Sequence, residues 1–212
     1  MAVNLYDGFK NDISGESFRC FSFDQKALVL HWEVQPDGYV PFEHIHLNQD
    51  EIFHIKHGEI KIILDGKERI GRAGDTIKVP MGKAHIASNN RKEVLSCVVE
   101  YKPGLDNYTF FQCFAGLTLD KDTDRKGQIN IAKMLYFTRK MGAQCLTRPS
   151  SIPAPIFRLA IHACYLVGVV LGWKKLFIKY TGQHEAPGFS KNKLVSNTVS
   201  KRPDLPRRTV GL

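Results

Sequence analysis

The spacing of the polar and turn residues between Gly38 and Asn89 limits most strongly how this chain can fold. Gly38 is followed after five residues by His44-Ile45-His46, after four more by Glu51 and after a further six by Gly58; then come Gly74, Pro80-Met81-Gly82, His85 and Asn89. In an extended strand the side chains at i and i+2 share a face, so His44 and His46 project together. Leu47-Asn48-Gln49-Asp50 has turn character and Glu51 to Ile55 strand character, so a hairpin is expected to return Glu51 beside the two imidazoles. Pro80-Met81-Gly82 turns the chain into a strand on which His85, Ala87 and Asn89 share a face, and His85 becomes the fourth group.

Three neutral imidazoles and a carboxylate suit a divalent first-row metal, Fe or Mn first, with Ni, Cu, Co and Zn as alternatives. The set is too rich in nitrogen for Ca or Mg, which prefer oxygen. Four protein donors leave room on a six-coordinate ion for substrate, water or dioxygen. Glu51 is then a ligand or, if it swings free, a base. Phe53 and Ile55 share the Glu51 face and Ala87 the His85 face. Together with Trp32 and Phe42 they are the candidate lining of a pocket for a small, partly apolar organic molecule, with core packing as the competing role for the aromatics.

In these residues the sequence resembles the cupin superfamily and its two-motif pattern, over about Phe18 to Pro103. The resemblance implies a small β-barrel with His44, His46, Glu51 and His85 as metal ligands and Gly38, Gly58, Gly74, Pro80 and Gly82 as turn residues. It does not imply one activity, because cupins include dioxygenases, isomerases, decarboxylases, sensors and storage proteins. An imidazole-rich site with open positions suits redox metals, so a dioxygenase-like oxidoreductase is the expected function. A metal-dependent isomerase or lyase, and a non-catalytic small-molecule-binding sensor, are the alternatives. Cupins often pair through their barrels, which makes a homodimer a further expectation. The remaining histidines read differently: His31 and His54 as ordinary sheet residues, His57 as lying near a barrel end, and His162 as a polar position on an apolar helix.

Alternation extends the sheet pattern on both sides of the motifs. Ala27 to Gln35 places Leu28, Leu30, Trp32 and Val34 on one face. Ile60, Ile62 and Leu64 alternate up to the hairpin turn Asp65-Gly66, and Val94 to Tyr101 is a last long strand ended by Pro103-Gly104. The expected fold is mainly β, a cupin-type jelly-roll barrel over residues 18–104, after a polar lead-in over 1–17 and before an α-helical extension over 105–181. In the extension one helix is capped by Asp106 or Asn107 and stopped near Gly116, and a second runs from Asn130 to Cys145. Asp120-Lys121-Asp122-Thr123-Asp124 lacks the glycine and glutamate of a calcium loop and reads as a solvated loop.

Leu159 to Trp173 is apolar apart from His162, and Leu176-Phe177-Ile178 resume after Lys174-Lys175. Such a run makes about 22 Å of helix against roughly 30 Å of bilayer hydrocarbon. This apolar hairpin therefore packs on the barrel or in a dimer interface, lies at a membrane surface, or spans one. Charge bears on the choice. Residues 1–129 hold 16 Lys and Arg against 19 Asp and Glu, and residues 130–212 hold 14 against 2. That argues against a barrel that binds nucleic acid and places any anionic partner, a membrane surface over residues 130–180 included, at the C-terminal end. Residues 182–212, rich in Ser, Lys, Arg and Pro, are expected to be a disordered basic tail. The N-terminal residues lack the basic and apolar regions of a signal peptide, so a cytoplasmic protein, peripheral at the inner face of the membrane if the hairpin binds there, is expected. Five cysteines without a C-x-x-C pair fit reduced thiols.

Overall fold

A computed structural model describes residues 2–142 and 144–183. The basic tail expected over 182–212 lies, from His184 onward, outside the described residues. Ten strands come first: β1 (Phe9–Asn11), β2 (Glu16–Phe23), β3 (Leu28–Val34), β4 (His44–His46), β5 (Asp50–His57), β6 (Glu59–Leu64), β7 (Lys67–Arg72), β8 (Thr76–Val79), β9 (Ala84–Ser88) and β10 (Leu95–Lys102). Then follow α1 (Asn107–Leu119), α2 (Ile131–Lys140), β11 (Thr147–Pro149), α3 (Ala154–Val170) and α4 (Lys174–Thr181). The strands form two sheets, ordered β1-β2-β3-β10-β5-β8 and β11-β4-β9-β6-β7, with antiparallel ladders. This is the jelly roll with a helical extension that the alternation predicted.

Strand alternation decides what the two sheets hold between them. Leu28, Leu30, Trp32 and Val34 on β3, Phe53 and Ile55 on β5, Ile60 and Ile62 on β6, and Leu95, Cys97, Val99 and Tyr101 on β10 are all buried. Asp65 and Gly66 both take positive φ in the turn between β6 and β7, the geometry that matches hairpin twist. Cys20, Cys97, Cys113 and Cys145 are buried, Cys164 is half-buried, and all five are free thiols.

Several boundaries differ from those expected. Residues 1–17 are more than a lead-in: β1 pairs with β2, which starts at Glu16, and Leu5 and Phe9 are buried in the barrel core. A strand of three residues is too short to show as periodicity. Helix α1 runs through Gly116 because that glycine is a packing site; a Cβ there would stand 2.3 Å from the Tyr180 ring. Helix α2 ends at Lys140, not Cys145, where Gly142 takes a φ of +93°. The chain beyond it becomes β11 and pairs with β4, joining the extension to the barrel sheet.

The acidic run Asp120 to Asp124 is solvated at Asp120, Lys121 and Asp124, as expected, but it is also a staple. Asp120 accepts hydrogen bonds from Lys179 Nζ at 2.6 Å and Tyr180 Oη at 2.8 Å, and Asp122 pairs with Lys133, so α1, α2 and α4 are tied at one point. The apolar pair is no hairpin. Helices α3 and α4 meet at 95°, and neither α3, α4 nor any other described helix is by itself long and apolar enough to cross a membrane. Phe157 and Ile161 of α3 pack against Leu135 of α2, while Phe177 and Tyr180 of α4 turn back into a core with Cys113 and Leu117 of α1.

Candidate metal centre

Strand register brings the four donors together from both sheets. In the five-stranded sheet β4 pairs with β9 so that His44 stands opposite His85, and His46 follows two residues on. Glu51 lies in the other sheet, on β5, with Tyr101 of β10 as its direct neighbour. The expected hairpin between β4 and β5 therefore does not form. Leu47 to Gln49 carry the chain from one sheet to the other, held by Leu47 N–H donating to Leu146 O at 2.9 Å and Gln49 Nε2 donating to Pro103 O at 2.6 Å. Glu51 faces the imidazoles across the barrel interior instead of along one sheet. One donor atom from each of His44, His46, Glu51 and His85 lies within 4.8 Å of the others.

The outer nitrogens of the rings are committed. His44 Nδ1–H donates to Phe42 O at 3.2 Å and His85 Nδ1–H to Lys83 O at 3.1 Å, and His46 Nδ1 is 3.1 Å from Thr147 Oγ1 on β11. A carbonyl only accepts, so Nδ1 of His44 and of His85 carries a hydrogen. In the neutral ring Nε2 is then a bare lone pair. Yet His85 Nε2 stands 2.7 Å and His46 Nε2 3.2 Å from Glu51 Oε2. The lone pair of His85 so close to a carboxylate oxygen requires a proton or a metal ion between them, whereas His46, whose Nδ1 faces a hydroxyl that can donate or accept, can itself donate from Nε2. The donor set, with its outer nitrogens fixed and its inner ones convergent, fits a divalent transition metal.

Charge in the cluster follows the same logic. Burial opposes ionisation of Glu51, but its contacts with His46 and His85 outweigh that and hold its carboxyl well below the usual range. Burial pulls His85 down, and the Glu51 carboxylate more than compensates, so its affinity for a proton is raised. Burial and the two neighbouring imidazoles keep His44 neutral.

The donors face a cavity of about 120 Å³. Trp32, Phe42, Phe53 and Ala87 line it. Ile55 does not: it points toward the other end of the barrel, where its side chain converges with those of Ile60 and Ile77 on Gly71. His31, His54, His57 and His162 stand outside the cluster; His31, for example, is bonded to Ser96 and His162 to Arg158 O.

Much of the lining comes from places the sequence left unassigned. Phe110, Phe111, Met134, Leu135 and Phe157 of the helical extension close over the cavity. Tyr101 packs its ring edge on His46, with centroids 5.5 Å apart, and burial together with the Glu51 carboxylate keeps its phenol protonated. Glu16 lines the cavity too. It accepts from Ser14 Oγ at 2.8 Å and Trp32 Nε1 at 3.2 Å, and burial pushes its carboxyl up to about 8. A carboxylate two residues before the aromatic Phe18 strand was the one sequence signal for it.

The family described as Cupin domain matches residues 30–101. No curated protein matches the chain in sequence. Among solved structures it is similar to KdgF from Halomonas sp., at 17% identity over 44% of this chain and 84% of that one, with a TM-score of 0.41. It is also similar to a predicted oxalate decarboxylase from Thermotoga maritima, at 22% identity over 42% of this chain and 80% of that one, with a TM-score of 0.40. A sugar phosphate isomerase of the cupin superfamily from Silicibacter pomeroyi shares 20% identity over 42% of this chain and 60% of its own length, with a TM-score of 0.39.

Proposed function

Since the chain belongs to the cupin superfamily through residues 30–101, we propose that it is a metal-dependent oxidoreductase of the dioxygenase kind acting on a small organic molecule with an apolar body. His44, His46, Glu51 and His85 would hold one divalent transition metal, Fe or Mn first. The observation that carries this reading is the convergence of three imidazole Nε2 atoms and one carboxylate at an apolar cavity, with the outer ring nitrogens already committed. Bound there, the ion supplies Lewis acidity and, where redox-active, electron transfer at its open positions.

The chain's own residues set the conditions for that chemistry. Phe42 O, Lys83 O and Thr147 Oγ1 hold the rings in orientation. Phe110, Phe111 and Phe157 exclude water from the cavity and pack on the apolar body of the bound molecule. An apolar void of about 150 Å³ accepts benzene, so a cavity of this size suits one ring or a short branched chain. Tyr101 and Glu16 each carry a proton near neutral pH and can donate a hydrogen bond to a polar end of that molecule.

Metal analysis of the purified chain, with oxygen uptake followed over flavonols, catechols, thiols and diketones, tests the proposal. The expected result is a near-stoichiometric transition metal, oxygen consumed with at least one class, and both lost in His46→Ala. Conversion without oxygen uptake would make the protein an isomerase or lyase using the same ion as a Lewis acid. Stoichiometric ligand binding without conversion would make it a sensor.

A further inference from the structure

Apart from Arg158 and His162, helix α3 is apolar throughout, but α2 uses only part of that surface. Phe157 and Ile161 are buried, and Gly168 is so close to α2 that a Cβ would stand 2.3 Å from the Tyr136 ring. On the outer side Leu159, Leu166 and Val170 are 71%, 67% and 85% exposed. With Ala163 they fall within about 60° of one another on a helical wheel of 100° per residue, so they form one ridge. Val170 and Leu171 end the ridge at the 95° elbow with α4 and protrude there. Arg158 flanks it, and Lys174 and Lys175 follow the elbow, all three exposed.

We propose that this outer ridge of α3 and the elbow it makes with α4 dock on an anionic lipid surface. A contiguous apolar ridge left in water is costly and marks an interaction site. Its charged surroundings select the occupant. Between Asp124 and Glu185 the sequence contains ten Lys and Arg and no Asp or Glu. A second copy seated on the same face by a two-fold axis would bring cation against cation. A protein partner would need a groove cut to a convex ridge, whereas lipid accepts a convex apolar shape and its headgroups neutralise the flanking cations. The 17 residues of α3 make about 25 Å of helix, short of the bilayer hydrocarbon, so the helix lies in the interface plane. Nothing in this inference depends on the metal or on the reaction.

Flotation of the full chain with vesicles of phosphatidylcholine, alone or with about 30% phosphatidylglycerol, tests it. The chain is expected to float with the anionic vesicles, far less with the neutral ones, and progressively less as salt is raised. Leu166→Gln with Val170→Gln should weaken binding at least about tenfold, and Lys174→Glu with Lys175→Glu by about fivefold or more per charge. All four positions are exposed or rim residues, so thermal melting should be unchanged and reports that the fold is kept. Failure of the parent chain to float with anionic vesicles overturns the proposal. So does unchanged binding in the Leu166→Gln, Val170→Gln chain, which would assign the affinity to basic residues elsewhere. A parent dimer that the same double variant converts to monomer, with no vesicle binding, would assign the ridge to a second copy and also overturn it.

Discussion

Glu51 and Glu16 line the same cavity on the same sheet, 4% and 3% exposed, and the protein holds them in opposite states. Register separates them: Glu51 lies in the row of Tyr101 and Leu28, Glu16 in the row of Val34 and Leu95. Around Glu51 are imidazoles that can carry positive charge, and its carboxyl is drawn below the usual range. Around Glu16 are a hydroxyl and an indole N–H, which bond a carboxylate without neutralising it, and the Glu51 charge adds repulsion, so its carboxyl rises to about 8. Burial alone thus leaves a glutamate protonated, and only a site built to share positive charge makes it an anion. One end of the cavity is suited to gripping a cation and the other to donating a hydrogen bond.

Exchanging each carboxyl for its amide is the most direct way to break that contrast. Glu51→Gln is expected to weaken metal binding by more than about 100-fold, the upper end of what losing an orienting partner costs, as measured by competition with a chromogenic chelator. Excess metal that raises the melting temperature of the parent chain should leave this variant unmoved. Glu16→Gln should keep the metal and change the response to pH. A carboxyl whose folded value lies above its ordinary 4.5 favours the folded state at low pH, and that contribution is lost as pH rises from about 4.5 through 8. Urea unfolding of the chelator-treated protein should show the parent losing on the order of a few kcal/mol across that window relative to Glu16→Gln. A difference that does not change with pH would mean that Glu16 is ionised and that the two ends are alike.

Smaller changes sharpen the comparison. Thr147→Val keeps the shape of the side chain but takes away the oxygen beside His46 Nδ1, and should weaken metal binding by about tenfold in the same competition assay. Ser14→Ala removes one donor from Glu16 and should cost about 1 kcal/mol in urea unfolding while leaving metal affinity unchanged.

What the sequence made legible was local. His44 and His46 share a strand face by parity, the turn at Pro80 to Gly82 brought in His85, and the alternation on β3, β5 and β10 placed the barrel core. The misplaced parts depend on pairings between distant segments. Glu51 was expected beside its histidines through a hairpin, but the chain changes sheets at Leu47 to Gln49, which no periodicity records. Thr147 reaches His46 across 101 positions of sequence, and Tyr101 meets Glu51 only through the β10–β5 register. Glu16 went unnoticed because β1 and the start of β2 were hidden in a polar segment. Ile55 had the right parity and the wrong depth: alternation gives the face of a strand but not how far along it a cavity extends.

The seam between β11 and β4 also orders events during synthesis. All four donor residues have left the ribosome long before Thr147 has, but until then the strand bearing His44 and His46 has β9 as its sheet neighbour on one side and an open edge on the other. Until then only His44 and His46, of the four donors, stand on an unfinished edge, since His85 lies on β9 and Glu51 in the other sheet. Closure of that edge by β11 is what sets Thr147 Oγ1 beside His46 Nδ1, so the orientation of one donor ring waits on a segment made 101 residues later.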